Sequence, residues 1–555
     1  MRAHAAAVVA AGLLLGACLR IAATYSVFNQ TWDEPAHIAT GLEWLQQGRY
    51  DFEPLHPPAA RVAVALGPYL GGARLTPDDA NPWTQTARIL GTGAAYFRML
   101  ALARVANLAF FLVAGVALFC YVLRALGRWP AAVSILLLST VPPFLGHAGL
   151  ATTDVALAAG VMVSLTVLIL WLDQPSRLRG VLLGAAIGGT VLTKFSALLL
   201  LPLIFAVTIA TCRLCDKLES PTRKAGVPLH RLLRPVWLTA LVVLWTGYRF
   251  SVGPIVPVRG PQHCESSTPC LADSLPPAVA ALATAPVYPA PEFVRGLVAY
   301  AREGRTGRKA YLLGRRTFGG WWYFFPIAIA IKTPLPFLVL TVVGTAALVV
   351  ARNRSQAWLV LAAGASAGAI LLALIPSRVN IGLRHALAVY PLLSAVAAYG
   401  VSRLWQLKPH LPARSLLVGL LAWQVVDSVR AAPDFVAYFN ELAPGPPEQY
   451  LVDSDLDWGQ DLHRLADTLR ARGIGQVALA YNGSADPGAV GIEGYRWLRP
   501  FTRDTGWIAV SVFALEVGIW NQPTWDDYAW LRSRQPVARA GRSILLYRVV
   551  PDTIQ

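Results

Sequence analysis

The chain contains a series of apolar runs, each about 18 residues or longer, spread over residues 1–430. A run of that length crosses the hydrocarbon core of a bilayer as one α-helix, which pairs all of its own backbone polar groups. Charged residues make up only 14% of the 555 residues, against about 25% in soluble proteins. These features exclude an ordinary soluble enzyme, a disordered chain and a small disulfide scaffold. They predict an all-α polytopic membrane protein.

Hydropathy predicts about eleven transmembrane helices in the region 1–430. They fall at 5–24, 99–123, 129–146, 151–172, 178–193, 194–211, 233–250, 326–350, 357–376, 385–401 and 414–430. The adjacent pair 178–193 and 194–211 also fits a single broken hairpin, which leaves the count open by one or two.

The basic loops predict how these helices are oriented. Lys and Arg concentrate in the loops 124–128, 212–234, 351–356 and 402–414. These loops share one side if the N-terminus is cytoplasmic. The expected location is therefore the inner (plasma) membrane of a bacterial-type cell, with outer loops 25–98 and 251–325 facing away from the cytoplasm. The net charge of +17 then fits a lipid bilayer rather than a nucleic acid partner.

Two cysteines support a second prediction about the outer side. Cys264 and Cys270 lie in the outer loop 251–325 with five residues between them. Disulfides form in oxidising compartments. If the loop faces outward, these two residues are expected to form a disulfide.

Residues 431–555 have a different pattern from the rest of the chain. Segments 476–482, 507–512 and 543–549 are rich in β-branched and aromatic residues and read as strands. Segment 460–472 reads as an amphipathic helix that ends at a glycine. This composition predicts a small soluble α/β domain after the transmembrane domain, on the same side as the outer loops.

The first outer loop carries an acidic pair, Asp33 and Glu34, directly after the first predicted helix. Thr31 and Glu34 have the spacing of a capping box, which explains Glu34 as part of a helix start. Asp33 is less well explained by capping. A carboxylate at the membrane–water boundary suits a general base that takes a proton from a substrate hydroxyl.

His56 precedes Pro57 and Pro58 in the same outer loop. The prolines hold residue 56 extended and favour a helix start after it. Two interpretations remain open at this point: simple loop punctuation, or a ligand or phosphate-binding group fixed at the interface.

Charged residues in the membrane body are further candidates for a site. Asp154, Lys194 and Lys332 each lie in or beside an apolar run, and Arg384 with His385 opens the tenth predicted helix. Capping explains Asp154 and snorkelling to the interface explains Lys194. The alternative is functional, because intramembrane ionisable residues usually mark a site and cations there can bind a phosphate.

The acidic pair after the first helix, the His-Pro-Pro at residue 56 and the long polytopic body resemble the C-type membrane glycosyltransferases. The protein O-mannosyltransferase family (glycosyltransferase family 39) and the bacterial lipid A aminoarabinose transferases are the most similar groups. The resemblance implies a C-type fold and sugar transfer from a polyprenyl-phosphate-sugar donor to a protein, lipid or glycan acceptor outside the cytoplasm, usually with inversion.

The same resemblance implies roles for single residues. Asp33 would be the general base, and Glu34 would either position the acceptor or have a structural role. Asp154 would be a second acidic site residue, and Lys194 would contact the phosphate. No cofactor is required throughout these families. A divalent metal near His56 is implied by the aminoarabinose transferases, whereas the mannosyltransferases do not require one.

Two other function classes remain as alternatives to a transferase. The first is a transporter or flippase of lipid-linked sugars, which the lack of two matching halves opposes. The second is a non-catalytic subunit of an envelope assembly. An acidic run at 453–461 is expected to cap a helix and to be solvated.

Overall fold

The computed structural model describes residues 2–77, 79, 81–215, 228–255, 288–351, 357–406, 411–518 and 524–551. Helices dominate this part of the chain. In order they are α1 (Arg2–Ala22), α2 (Glu34–Gln47), α3 (Pro58–Leu70), α4 (Pro82–Leu90), α5 (Gly93–Leu126), α6 (Arg128–Leu138), α7 (Pro142–Ala148), α8 (Asp154–Asp173), α9 (Arg177–Val191), α10 (Ala197–Leu214), α11 (Leu229–Gly247), α12 (Pro291–Thr306), α13 (Phe324–Lys332), α14 (Leu335–Val349), α15 (Trp358–Leu374), α16 (Val389–Gln406), α17 (Leu411–Arg430), α18 (Leu462–Ala471) and α19 (Val512–Val517).

The strands are short. They are β1 (Val252–Gly253), β2 (Tyr288–Pro289), β3 (Ala310–Leu312), β4 (Arg315–Thr317), β5 (Val477–Ala480), β6 (Tyr495–Trp497), β7 (Gly506–Ser511), β8 (Ala538–Ala540) and β9 (Ile544–Val549). The first four strands form two separate two-stranded ribbons, and the last five form one sheet.

Among the described helices, α1 from His4 onward, α5, α8 and α10 are long and apolar enough to cross a membrane. Two bent pairs, α6 with α7 at 73° and α13 with α14 at 116°, raise the number of spans from four to six if each pair is one span. A helix lies at each predicted position, but the predicted number of eleven spans is not confirmed. Helices such as α9, with 15 residues, and α15, with 17, are too short to qualify on their own.

Small residues let neighbouring helices of the membrane body approach closely. A methyl group placed at Gly344 of α14 would overlap the carbonyl oxygen of Val396 on α16. A methyl group at Gly400 of α16 would lie against the backbone of Leu340. Close backbone contact through glycine is a common way for helices to associate in lipid, where burial of apolar surface supplies little driving force.

The C-terminal sheet has the strand order β6-β5-β7-β9-β8. Strand β5 runs parallel to β6 and β7, whereas β9 is antiparallel to both β7 and β8. The strands predicted at 476–482, 507–512 and 543–549 correspond to β5, β7 and β9, and the helix predicted at 460–472 is α18. Strands β6 and β8, of three residues each, are too short to leave a period-two pattern in the sequence.

One face of this sheet packs against the first outer loop. Leu465 of α18 and Leu479 of β5 belong to the same buried cluster as Ile38 and Leu42 of α2. The sheet therefore lies beside the helix that carries the acidic pair. The domain boundary at 431 stays a prediction, and Cys264 and Cys270 lie outside the described residues.

We expect Gly344→Ala to lower the thermal unfolding temperature of the protein in detergent. The added methyl group meets backbone rather than a flexible side chain, and overpacking of this kind costs typically about 1–3 kcal/mol. Gly368→Ala is the matched control in α15, because nothing lies within 4 Å of a methyl group there. Equal unfolding temperatures for the two variants would contradict the close packing of α14 and α16.

Candidate functional site

Two acidic and two basic side chains meet in a chain of alternating charge, called here the charged cluster: Asp33, Arg384, Asp154 and Lys194. Arg384 Nη1 donates to Asp33 Oδ2 at 2.5 Å and lies 4.0 Å from Asp154 Oδ2. Lys194 Nζ donates to Asp154 Oδ1 at 2.5 Å. The formal charges of the four groups cancel, so the cluster is neutral while no ligand is bound to it.

Each member of the charged cluster sits at the end or break of a helix. Asp33 precedes α2 and makes no capping hydrogen bond, so its carboxylate is turned toward Arg384 instead. Asp154 is the first residue of α8, and Lys194 lies between α9 and α10. Arg384 lies in the 3-10 turn Leu383–Ala386 that leads to α16. Helix ends are where polar groups of a membrane protein meet the headgroup region and water.

The C-terminal part of the chain holds Arg384 in place. The indole ring of Trp458 lies 4.4 Å from the guanidinium carbon, within the range of a cation–π contact. The neighbouring Leu383 N–H donates to the Asp455 carboxylate at 3.1 Å. Segment 453–461 therefore forms one wall of the site, although it is more than 400 residues from Asp33 in sequence.

Several buried polar atoms near the charged cluster have no hydrogen-bond partner within the described part of the chain. They are Nδ1 of His147, Oγ1 of Thr152, Oδ2 of Asp154, Nε of Arg384 and Oδ2 of Asp453. Each such atom costs about 1–3 kcal/mol, and native proteins keep few of them. Their concentration at one place fits a site where the polar groups of a ligand complete the hydrogen bonding.

The protonation state of Asp33 follows from its partners. Burial raises the pKa of the Asp33 carboxyl, but the Arg384 guanidinium lowers it by charge and by hydrogen bond, with further lowering from Arg308 and His56. The net result is a pKa below the ordinary value. Asp33 is therefore ionised at neutral pH, and it is a weak base as long as Arg384 remains its partner.

Two histidines belong to the surroundings of the charged cluster. His56 Nδ1 lies 3.5 Å from Thr153 Oγ1, and burial, with the nearby charge of Lys194, lowers the pKa of His56 to about 3. Burial and the same lysine also place the pKa of His385 well below its ordinary value. Both imidazoles are neutral at pH 7. Each can offer a phosphate one N–H donor but no positive charge.

The residues around His56 do not fit the divalent metal that the resemblance implied. No group of three or more His, Cys, Asp or Glu side chains suited to a metal ion occurs among the residues that the structure describes. The charges of Lys194 and Arg384 act on His56, and two cations repel a third at close range. We therefore derive no step through a metal.

Glu34 is separate from the charged cluster and has a structural environment. Its carboxylate pairs with Arg104 through both oxygens at 2.8 Å, and both side chains are fully buried. The carboxylate also accepts the N–H groups of Ala151 and Thr31, each at 2.8 Å. Of the two roles expected for Glu34, acceptor positioning and structure, this geometry supports the structural one.

Lys332 is also tied into the protein interior. It is fully buried, and Nζ donates to the carbonyl oxygens of Val436 at 2.7 Å and Asp455 at 2.5 Å. These bonds connect α13 to the start of the C-terminal part of the chain. The expected phosphate contact of Lys332 is not supported, since its ammonium group already bonds the backbone of segment 436–455.

The expectation that the acidic run 453–461 is solvated is wrong for most of its acids. Asp455, Asp457 and Asp461 are buried. Asp457 accepts the Phe513 N–H at 2.7 Å, and Asp461 accepts the Ser543 N–H at 3.0 Å. These carboxylates fasten the run to the C-terminal sheet.

Sequence reasoning missed the two residues of this run that face the site, Asp453 and Trp458. The available signal was a dense group of acids around a Trp-Gly pair in a chain poor in acids. Capping accounts for one or two such acids, not for all of them.

Residues 94–227 match the family model for dolichyl-phosphate-mannose-protein mannosyltransferases. The matched stretch includes Asp154 and Lys194 of the charged cluster but ends before Arg384 and starts after Asp33. The chain resembles the C-type membrane glycosyltransferases, as its motifs predicted, and the match confirms the resemblance to the mannosyltransferases over this stretch.

Two solved structures are similar to this chain at low identity. One is ArnT from Cupriavidus metallidurans bound to undecaprenyl phosphate, with 15% identity, 96% of both chains covered and a TM-score of 0.48. The other is the oligosaccharyltransferase AglB from Archaeoglobus fulgidus in complex with an inhibitory peptide and a dolichol-phosphate, with 12% identity, 90% of this chain and 62% of that chain covered, and a TM-score of 0.44. No curated protein matches the chain.

The neighbouring substitutions Glu34→Gln and Asp33→Asn are expected to differ sharply in their effect on stability. Glu34→Gln leaves the fully buried Arg104 without its counter-charge, which costs about 3–5 kcal/mol. Asp33 is 25% exposed, and Arg384 keeps Asp154 nearby, so Asp33→Asn should change the unfolding temperature little. Thermal unfolding in detergent measures both variants. A large loss of stability in Asp33→Asn would mean that the cluster is structural.

Asp453 should make the stability depend on pH. Burial raises the pKa of Asp453 to about 8, from an ordinary value of 3.8, although Arg384 opposes the rise. The unfolded chain loses this proton from about pH 4 upward while the folded protein keeps it until about pH 8, so the group destabilises the fold increasingly across that window.

The matched variant Asp453→Asn has the same shape and does not titrate. Its unfolding temperature relative to wild type should therefore rise from pH 5 to pH 8. The comparison cancels the other buried carboxyls, such as Asp457. A difference that stays constant with pH would contradict the raised pKa.

Proposed function

We propose that this protein is an integral-membrane glycosyltransferase that transfers a sugar from a polyprenyl-phosphate donor to an acceptor hydroxyl outside the cytoplasm, with inversion. The charged cluster carries the proposal, because it puts one carboxylate, Asp33, beside two cations, Arg384 and Lys194, that a phosphate can bridge. The family match over residues 94–227 supports the same class of reaction.

The cations suit the leaving group of such a reaction. A sugar phosphodiester carries one negative charge, and the polyprenyl phosphate that leaves carries nearly two at pH 7, since its second pKa is about 6. Arg384 can bind two phosphate oxygens in parallel, and Lys194 adds a point charge. Fixed donors aimed at charge that develops in the transition state are usually the largest source of rate enhancement.

The pairing of Asp33 with Arg384 suggests how the base becomes active. A donor phosphate that binds Arg384 competes with Asp33 for the guanidinium and weakens the interaction that lowers the pKa of Asp33. Asp33 then becomes a better base when the donor is in place. Its carboxylate accepts the proton of the acceptor hydroxyl while the acceptor oxygen bonds to the anomeric carbon. The bond from that carbon to the phosphate oxygen breaks, and its electron pair stays with the phosphate.

The other residues near the cluster have supporting roles in this scheme. Asp154 holds Lys194 at 2.5 Å and keeps Oδ2 unpartnered, so it can accept a hydrogen bond from a sugar hydroxyl. Neutral His56 and His385 can hydrogen-bond the donor. Glu34 and Lys332 stabilise the loops that hold the site.

The test is a single-turnover sugar transfer assay in detergent with a panel of labelled polyprenyl-phosphate sugars. Asp33→Asn should reduce the rate about 10²–10⁴-fold, the usual contribution of a general base, while donor binding stays within a few-fold of wild type. Asp51→Asn is the matched control, since Asp51 lies in the same outer loop with its side chain 41% exposed and only a 3.4 Å contact to Arg295.

A second variant separates the transferase from its rivals. Arg384→Lys keeps the charge and loses the paired N–H groups, so it should weaken donor binding. If wild type binds a donor but transfers none, and Asp33→Asn behaves like wild type, the flippase or assembly-subunit interpretation replaces the transferase.

A further inference from the structure

A cleft of about 360 Å³ opens on the C-terminal sheet, and Trp32 forms part of its wall. It is called here the sheet cleft. Its other lining residues include Asn482, Trp497, Arg499, Pro500 and Tyr528. The volume falls within the range of roughly 300–1,000 Å³ that is typical of ligand sites.

The position of the sheet cleft follows from the sheet topology. Strands β6, β5 and β7 are parallel neighbours, and the lining residues lie at their carboxyl ends or directly after them. Open α/β sheets bind ligands in the crevice outside the carboxyl ends of the strands. The sheet cleft is therefore where this kind of sheet is expected to bind a ligand.

The sheet cleft shares a wall with the site of transfer. Ser484 Oγ, in the loop after β5, donates to the Thr31 carbonyl at 3.0 Å, and Gln30 Nε2 donates to the Ser484 carbonyl at 2.9 Å. Trp32 lines the cleft, and its Cα atom is about 3.8 Å from that of Asp33. A ligand that contacts Trp32 is thus within roughly one sugar unit of the proposed base.

The side chains of the sheet cleft suit a sugar. Trp497 is 54% exposed, and Trp32 is half-buried, so two indole rings are available to the apolar C–H face of a sugar ring. Large exposed aromatic groups usually mark a binding surface. The side chains of Asn482 and Arg499 show no hydrogen bond or ion pair to other described residues, so they are free to bind hydroxyl and acidic groups.

The topology disfavours an extended peptide as the occupant. Peptides that bind a sheet usually add a strand along its edge and use the unpaired backbone groups there. The sheet cleft lies at strand ends, where no row of edge groups is presented. Its Arg499 guanidinium instead matches a carboxylate or phosphate bidentately.

We propose that the sheet cleft binds the acceptor of the reaction, and that this acceptor is an oligosaccharide bearing an acidic group. The acceptor role rests on the proposed transferase function. The sugar-binding role of the cleft rests only on its own side chains and topology.

The test uses the full-length protein in detergent and saturation-transfer NMR with three probes. They are a neutral tetrasaccharide of N-acetylglucosamine, a tetrasaccharide of galacturonate and a Ser/Thr-rich peptide. We expect the galacturonate probe to bind best, with saturation on its ring C–H protons. Trp497→Ala should weaken this binding about tenfold, while Trp497→Phe retains most of it.

Arg499→Ala should remove the preference for the acidic sugar over the neutral one. Arg472→Ala is the matched control, because Arg472 is exposed and precedes β5, at the opposite end of the strand. Donor binding should be unchanged in all of these variants, which shows that the loss is confined to the cleft.

Three outcomes would overturn the proposal. The first is that neither sugar binds, or that both bind equally well to Trp497→Ala. The second is peptide binding that Trp497→Ala abolishes while the sugars give no signal. The third is transfer activity on a sugar acceptor that Trp497→Ala leaves unchanged. If the sugars bind the cleft but no donor is turned over, the proposed function fails while the sugar site stands.

Discussion

The buried ion pair between Glu34 and Arg104 is the constraint on which the geometry of the site depends. Arg104 also donates to the carbonyls of Phe28 and Asn29 at 3.0 and 2.9 Å, and Glu34 accepts the Ala151 N–H. The pair thus ties the loop before α2 to the long helix α5 and to the segment that leads into α8. Asp33 and Asp154 follow these anchor points by only a few residues. Their separation is therefore set by a contact that neither of them makes.

The neutrality of the charged cluster explains how four ionised groups can be held among helix ends. Isolated charges in such surroundings pay a large desolvation cost, which a close partner of opposite sign offsets. Arg384 and Lys194 supply that partner to Asp33 and Asp154. A bound phosphate adds negative charge to a balanced set, so it must displace one of the carboxylates from its cation. Asp33, 25% exposed against 1% for Asp154, is the carboxylate that can be displaced more easily.

The sequence predicted the acids of the site better than their partners. Asp33 and Asp154 are conspicuous because acids are rare beside apolar runs, and the strands β5, β7 and β9 follow from their composition. The pairing of Asp33 with Arg384 spans 351 residues, and only the packing of helices brings the two together. Glu34 and Lys332 illustrate the limit, because a buried structural charge and a catalytic one look alike until their contacts are known.

The burial of the acidic run changes how the C-terminal sheet relates to the membrane body. Asp461 and Asp457 accept backbone N–H groups from the sheet, while Trp458 in the same run covers Arg384 and accepts the Trp32 N–H at 3.0 Å. A run that bonds the sheet on one side and the charged cluster on the other fixes both in one frame. An acceptor site on the sheet would then keep a constant distance to the base. Placing a hydroxyl near a base in this way removes much of the entropy cost of a reaction between two bound substrates.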